Sequence, residues 1–423
     1  MMAAALVAVL PSAGAARAAE GPVGSAARAA QSCGEGSYQA EAFWNGGAWT
    51  ARNGGTTVYT GGSMLDAMWA AVDSLSDGRS WKERVVVRGS GDVSANARLS
   101  LPSYTTLDVC GTINVTGSGS GDMAPIYARG KRDIEIQHLT LTGRPLYGIF
   151  MRNVDNLVLG QIDMRLSAGL GIRIDNHGDR NDPSQNIRID SVYISGTSSH
   201  AVETYGVDGL TIGTVTARNT GYSGLLLNDT TNADIGTVDA DGAGTGTGYA
   251  AFRMANQNGR VGSSYPTNIY VDRVIARGGG RGIFCVSESG GAVIDQIDIA
   301  YTGSNAILIE NCYNVTVAAQ SGSVRGPGDI RIAARSEFAN TRDVTVQNLT
   351  VTDSALRESP CGENIVFRNN SLVNSSSNVC GGGGDTAPNG YPYCQQGSAT
   401  DPDGDGWGWE NSRSCVVRGG PAD

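Results

Sequence analysis

Positions 134–141 read IEIQHLTL, and positions 157–164 read LVLGQIDM. The same shape returns at Ile187 (IRIDSVYI), Leu210 (LTIGTVTA), Ala233 (ADIGTVDA), Ile269 (IYVDRVIA), Ala292 (AVIDQIDI), Val315 (VTVAAQSG) and Val344 (VTVQNLTV). Each copy is a turn residue, then apolar-x-apolar, then two more positions and another apolar one. Most steps between starts equal the step from Ile134 to Leu157. Those from Leu157 to Ile187, from Ala233 to Ile269 and from Val315 to Val344 are longer, so they carry insertions on the base period. A fixed period with insertions means one supersecondary unit stacked many times. Alternation with period two inside each copy means strands. A unit this short has no room for a crossover helix, which leaves an all-β parallel β-helix with one coil per repeat.

A second apolar stripe follows at a near-constant offset from these starts: GIFMR (148), GIRID (171), AVETY (201), GLLLN (224), AFRMA (251), GIFCV (282), AILIE (306) and DIRIA (329). Alternate residues of a strand face opposite ways. Ile149, Ile172, Val202, Leu225, Phe252, Ile283, Ile307 and Ile330 therefore stack inward. Phe150, Arg173, Glu203, Leu226, Arg253, Phe284, Leu308 and Arg331 stack outward. Arg152, Asp175, Tyr205, Asn228, Ala255, Val286, Glu310 and Ala333 form the next outward column.

Two insertions, DNHGDRNDPSQ after Ile174 and ANQNGRVGSSYPT after Met254, lie at one edge of this stripe with the coils of Glu203 and Leu226 between them. Long turns on one edge of a solenoid wall a groove, and such loops carry function. Arg173, Asp175, Glu203, Tyr205, Asn228 and Arg253 lie between the walls, with His177, His200 and Tyr222 at the flanking turns. This set suits β-elimination on a uronate-containing polysaccharide such as alginate or pectate. That reaction must neutralise a carboxylate, remove the neighbouring C–H proton and protonate the leaving oxygen. Arg253 and Arg173 are assigned to the carboxylate, since arginine pairs with carboxylates bidentately, with Asn228 assisting. Tyr205 is the preferred acid/base, His200 its partner or rival, and Glu203 the orienting group. Asp175, His177 and Tyr222 complete the substrate-binding set. The plainer alternative for Arg173, Glu203 and Arg253 is a cross-strand charge ladder. For His200 and Tyr222 it is packing. A glycoside hydrolase using Glu203 and Asp175, or a non-catalytic polysaccharide-binding protein, are the competing functions.

The chain has 423 residues, 60 of them Gly and only two of them Lys, with net charge −10. Gly suits tight turns between short strands, and the acidic balance argues against a nucleic-acid partner. AAALVAVL followed by small residues reads as a signal peptide over residues 1–19, hence secretion. No segment approaches a membrane span, and a monomer is expected. Eight cysteines fit an oxidising compartment. The expected pairs are Cys33–Cys110, Cys361–Cys380 and Cys394–Cys415. Cys285 sits in an inward column, which favours a buried free thiol and leaves a pair with Cys312 open. Residues 20–60 read as a polar lead-in, and 63–78 as an amphipathic helix with Leu65, Met68, Ala71, Val72 and Leu75 on one face. That helix would cap the open end of a β-helix domain spanning 20–376. A Gly-rich linker, 377–387, then leads to a small module, 388–423.

The capping helix, LPSYTTLDVCGTI (101–113) and the stacked coils resemble the right-handed parallel β-helix proteins of the pectate-lyase-like superfamily, which include pectate and alginate lyases and polygalacturonases. The resemblance implies a fold and not a reaction. The Asp pair and Gly-His-Gly turn of polygalacturonases and the Arg-x-Pro-x-x-Arg pattern of pectate lyases are both missing. No lysine follows Lys131, so a lysine-based lyase site on the central coils is excluded. The tail GYPYCQQGSATDPDGDGWGWENSRSCVV is similar to the family 10 cellulose-binding modules through Tyr-Pro-x-Cys, Gly-Trp-Gly-Trp-Glu-Asn and Ser-Cys-Val. That resemblance implies binding to insoluble, cellulose-like polysaccharide through Trp407 and Trp409, with Tyr391 or Tyr393 as a third contact, in a β module stapled by Cys394–Cys415. DPDGDG resembles a calcium loop but lacks the later Glu of an EF-hand. No cofactor is therefore required, and calcium is left open.

Overall fold

Each coil contributes strands to three parallel stacks, and the backbone ladder between coils keeps its register except for shifts at Ile294/Gln296 and Asn305/Ile307. In the first stack Leu157 pairs with Ile134 and Ile187, and in the second Ile162 pairs with Leu139 and Val192. In the third, Ile149, Ile172, Val202, Leu225, Phe252, Ile283, Ile307 and Ile330 follow one another residue for residue. All eight are fully buried in one continuous apolar core. The chain is a parallel β-helix, here a computed structural model describing residues 32–423 apart from 245, 247, 381–386, 388–390, 392, 395–396 and 411–412. The leader read over residues 1–19 and most of the linker lie outside the described residues.

The turn residue that opens each repeat has a backbone reason. Asp133, Asn156, Asn186, Asn232, Asn314, Asp343 and Asn364 all adopt positive φ between 52° and 57° immediately before the first inward apolar residue of their first-stack run. Asn and Asp tolerate this left-handed conformation better than other side chains. Their side chains also bond to one another along the corner, Asn156 Nδ2 to Asp133 Oδ1 at 3.2 Å and Asn186 Nδ2 to Asn156 Oδ1 at 3.3 Å.

The first coil is built differently from the expected polar lead-in. Ala40–Trp44, Trp49–Asn53 and Thr56–Gly61 form an antiparallel meander, and Ala40–Trp44 also pairs in parallel with Glu83–Arg88. The capping helix is Met64–Asp73, shorter than the span read, with Ser63 accepting from the Asp66 N–H at its N-terminus. Its buried face is Met64, Ala67, Met68, Ala71 and Val72. Leu65 is only partly buried, and Leu75 is buried beyond the helix end. The helix thus covers apolar side chains at an end where strands would otherwise meet water.

Three disulfides agree with the expected pairs, Cys33–Cys110, Cys361–Cys380 and Cys394–Cys415. The expected free thiol at Cys285 is wrong, because Cys285 is bonded to Cys312. Cys312 opens the first-stack strand of the following coil, so this bond joins neighbouring coils near a corner. The last strand of the stacks, Ser376–Asn378, pairs with Ala355–Glu358 and is followed by Cys380. The module at the C-terminus is a two-stranded antiparallel sheet, Trp407–Glu410 with Arg413–Val416.

The inward column carries the stability of the coils, and Leu225 lies at its middle. Leu225→Asp is expected to abolish the cooperative thermal transition of the solenoid, since an unpaired buried carboxylate costs several kcal/mol or more. Circular dichroism melting checks this. A variant melting with the wild type would show that Leu225 faces water.

Candidate active site

The outward side of the third stack is bounded differently at its two edges. On one, the turns after Asp175 and Ala255 lengthen into residues 176–183 and 256–268. The first of these reaches along the coils, with Arg180 Nη2 2.8 Å from Asp229 Oδ1. On the other, His200, Tyr222 and Tyr249 form an aromatic wall. The Tyr222 and Tyr249 rings stack at 3.8 Å, and His200 meets both edge-on at 5.2 and 5.7 Å. Tyr249 was not singled out from the sequence. Leu225 pairs with Phe252, a longer step than the base period, so part of the insertion assigned after Met254 lies in the turn before the strand. The repeat of Gly221-Tyr222 at Gly248-Tyr249 is the signal that marks it.

Between these walls the two outward columns hold a chain of polar contacts. Arg152 donates to both oxygens of Asp175, at 2.6 and 2.9 Å, and to Asp122 at 2.9 Å. Arg173 donates to Asp175 Oδ2 and Glu203 Oε2, both at 2.9 Å. Asn228 Nδ2 donates to Glu203 Oε1 at 3.2 Å, and Asn256 Nδ2 to Asn228 Oδ1 at 2.9 Å. Burial opposes ionisation of Asp175, but the hydrogen bonds from Arg152 and Arg173 outweigh it and hold its carboxyl below the usual carboxylate range. Asp175 is 1% exposed with both oxygens engaged, so it anchors the row rather than meeting a substrate. Arg173 is likewise committed to internal carboxylates, as a charge ladder would have it. Glu203 differs. Burial pushes its carboxyl up, the neighbouring Asp175 charge adds to the shift, and Arg173 only partly offsets it. Arg152 and Asp122 did not enter the sequence-derived set, although Arg152 is the column neighbour of Asp175.

His200 takes a different role from the acid/base read for it. Its Nδ1 accepts the Ser223 backbone N–H at 3.0 Å, which places the ring proton on Nε2. Burial, followed by the Arg253 and Arg173 charges, pushes its pKa down to about 3. A neutral ring with its lone pair occupied is a poor base, so His200 holds the Ser223 turn and packs the aromatic wall. Tyr222 is 38% exposed on that wall. His177 is exposed in the 176–183 loop, where its own backbone N–H bonds to Asp175 Oδ1 at 3.3 Å.

Arg253 stands one coil beyond Leu226 and in line with it. Among the described residues it forms no ion pair, and its buried Nε has no hydrogen-bond partner. Its guanidinium lies over the Phe284 ring at 5.3 Å and the Tyr249 ring at 5.7 Å. Burial, its largest perturbation, disfavours the charged form. Tyr205 is half-buried in the adjoining column, paired with Asp175 on one side and Asn228 on the other.

In the C-terminal module Trp409 is 66% exposed and Tyr391 47% exposed, and Trp407 is half-buried with Tyr391 edge-on to it at 4.8 Å. Trp407 and Trp409 occupy alternate positions of one strand, so they share a side. Tyr393 is packed instead: Arg418 covers its ring at 4.0 Å and its hydroxyl bonds to the Asp423 carboxylate. In DPDGDG the carboxylates of Asp401, Asp403 and Asp405 converge. The Asp401 oxygens already accept the backbone N–H groups of Gly404, Asp405 and Gly406 at 2.9 to 3.1 Å. That is the bonding of a self-capped turn.

Residues 384–417 match the family described as a cellulose or protein binding domain. The mannan endo-1,4-beta-mannosidase of Streptomyces lividans is 60% identical over 68 residues, 15% of this chain and 18% of that enzyme. The enzyme of the same name from Cellvibrio japonicus (strain Ueda107) is 52% identical over 52 residues, 12% of this chain and 11% of that enzyme. This chain therefore spans less than a fifth of either relative, and the matches take in the region of the C-terminal module. Among solved structures, the mannuronan C-5 epimerase AlgE4 A-module of Azotobacter vinelandii is similar at 12% identity and a TM-score of 0.45, covering 76% of this chain and 95% of that one. The fold of the solenoid rests on its strand pairing, independently of that likeness.

The buried imidazole makes a pH prediction. The unfolded chain takes up the His200 proton near 6.5, the fold only near about 3. Between those values the unfolded state binds more protons, so the stability due to a neutral His200 is complete above the unfolded value and is lost as pH falls below it. The slope approaches about 1.4 kcal/mol per pH unit. The melting temperature of wild type should therefore drop more between pH 7 and pH 4.5 than that of His200→Gln. Parallel acid limbs would mean that the ring is solvated and protonates normally.

Proposed function

We propose that this protein is a secreted carbohydrate-active enzyme that cleaves a uronate-containing polysaccharide by β-elimination, with the C-terminal module holding it on insoluble polysaccharide. The observation that carries this reading is Arg253, a cation without a carboxylate partner among the described residues, set between an aromatic wall and Glu203. Charges left uncompensated in low-dielectric surroundings are costly unless a ligand supplies the counter-charge. A uronate carboxylate seated on Arg253 is stabilised electrostatically and its neighbouring C5–H becomes more acidic. Glu203, with its raised pKa, is the stronger base of the two carboxylates and takes the C5 proton. Electrons move from C5–H into the C4–C5 double bond, and the C4–O bond breaks. Tyr205 gives its hydroxyl proton to the departing oxygen. This division of labour changes the assignment from sequence, where Tyr205 is the acid/base with His200 beside it.

A hydrolase working through Glu203 and Asp175 is disfavoured, since Asp175 has both oxygens held by arginine and faces no open space. Elimination leaves an unsaturated uronate whose ultraviolet absorbance is a direct assay. On whichever of alginate, pectate or glucuronan yields that signal, Tyr205→Phe and Arg253→Ala are each expected to lose at least ~100-fold in turnover with the melting temperature kept, the scale of positioned acid–base and electrostatic groups. Near-wild-type turnover in both would move the site elsewhere on the solenoid.

For the module, the exposed ring of Trp409 beside Trp407 and Tyr391 supports stacking on sugar faces. Full-length Trp407→Ala/Trp409→Ala is expected to lose pull-down on insoluble cellulose while activity on soluble polymer stays within about twofold. Retained pull-down would assign the two rings to the module's core.

A further inference from the structure

Beyond Arg253 the third stack continues as an apolar floor edged by arginines that the proposed chemistry does not use. Arg253, Phe284, Leu308 and Arg331 are successive members of one outward column. Phe284 and Leu308 are 6% and 5% exposed and belong to a cluster separate from the interior core. Arg281 lies over the Phe284 ring at 4.7 Å, so that ring carries a guanidinium from Arg253 and another from Arg281. Arg281 is 7% exposed, its Nε donates to the neutral Asn305 Oδ1 at 3.0 Å, and its Nη1 is buried without a hydrogen-bond partner.

Carboxylates do occur nearby, but each is already taken. Glu310 is paired with Arg335 at 2.9 Å, and Asp329 with Arg357 at 3.2 Å. Arg253, Arg281 and Arg331 form no ion pair among the described residues. Two cations over one aromatic ring, one of them nine-tenths buried, repel each other in a medium that screens poorly. The arrangement is relieved by an anion from outside. Arg253 and Arg331 are three coil spacings apart, about 14 Å. That length suits a short run of sugar rings carrying more than one acid group.

We propose that the strip Arg253–Arg281–Arg331, floored by Phe284 and Leu308, is a binding surface for consecutive acidic sugars of the polymer, so that the protein selects runs of adjacent uronates over isolated ones. The inference rests on the reading of Arg253 as the seat of one carboxylate, and adds Arg281 and Arg331 as residues that read the acid groups beyond it. The arginines meet the acid groups, and the buried Arg281 charge raises the potential over Phe284.

The test is calorimetric binding of defined mannuronate and galacturonate dimers and pentamers to full-length protein, at low and high salt. For the series that wild type binds, Arg281→Gln/Arg331→Gln is expected to weaken pentamer binding at least tenfold and to flatten its salt dependence, with dimer affinity changed less than threefold. Arg281→Lys/Arg331→Lys should recover a substantial part of the loss, because the charge returns; a merely structural role would show no such rescue. Unchanged pentamer affinity in the Gln variant overturns the strip and leaves the reading of Arg253 standing. Equal losses for dimer and pentamer overturn it too, since the arginines would then act on the first acid group. If wild type binds neither series at either length, the strip and the uronate reading fall together.

Discussion

The parallel backbone ladder is the constraint from which everything else follows. Because neighbouring coils must pair residue for residue, a position once inward stays inward along the whole solenoid, from Ile149 to Ile330. Long insertions are expelled to corners, where they become the 176–183 and 256–268 loops, while the strand Cys312–Arg325 absorbs a smaller one as a register shift. The same ladder sets chemical groups at coil spacing on the outer side. Arg173 therefore meets Glu203 and Arg152 meets Asp175 without any local loop design. A stacked fold makes a row of side chains almost free of conformational cost, and function enters through what each coil places in that row.

The periodicity made the columns readable because a two-residue alternation repeated many times averages out local noise. Both outward columns agree with the pairing at Phe150/Arg173/Glu203/Leu226/Arg253 and at Arg152/Asp175/Tyr205/Asn228. What resisted reading was what breaks the period. Aligning coils by the base period places Cys285 opposite Ile309 and hides its true partner, Cys312, around a corner. The meander at residues 40–61 has antiparallel pairing and no repeat to compare with. Tyr249 is hidden because the insertion between Ala233 and Ile269 is shared by two turns, one on each side of the strand Phe252–Ala255.

At the site, residue types were visible and their commitments were not. Nothing in the strings GIRID and AFRMA distinguishes Arg173, which neutralises internal acids, from Arg253, which does not. That difference depends on which carboxylate lies one coil away. Leu226 separates Glu203 from Arg253 in the column, and Phe284 follows it, so Arg253 has no acid for a ladder neighbour. His200 is similar: its neutrality comes first from burial and then from the Arg253 and Arg173 charges, none of them legible in the local sequence.

The two ends of the solenoid are protected unequally. At the start, the helix Met64–Asp73 and the meander close over the core. At the far end, Ser371–Val373 and Ser376–Asn378 are exposed along their lengths, with Leu372 and Val373 facing water. Coils that touch only their neighbours come apart as a travelling front, like the teeth of a zipper, and the front starts where the last tooth is least held. Cys361–Cys380 ties this final coil to the one before it, just beyond the paired strands Ala355–Glu358 and Ser376–Asn378. It works as the stop at the end of the zipper, making the first step of unravelling the hardest. A stack closed in this way resists fraying and then fails in one event, so its endurance is a matter of rate more than of equilibrium.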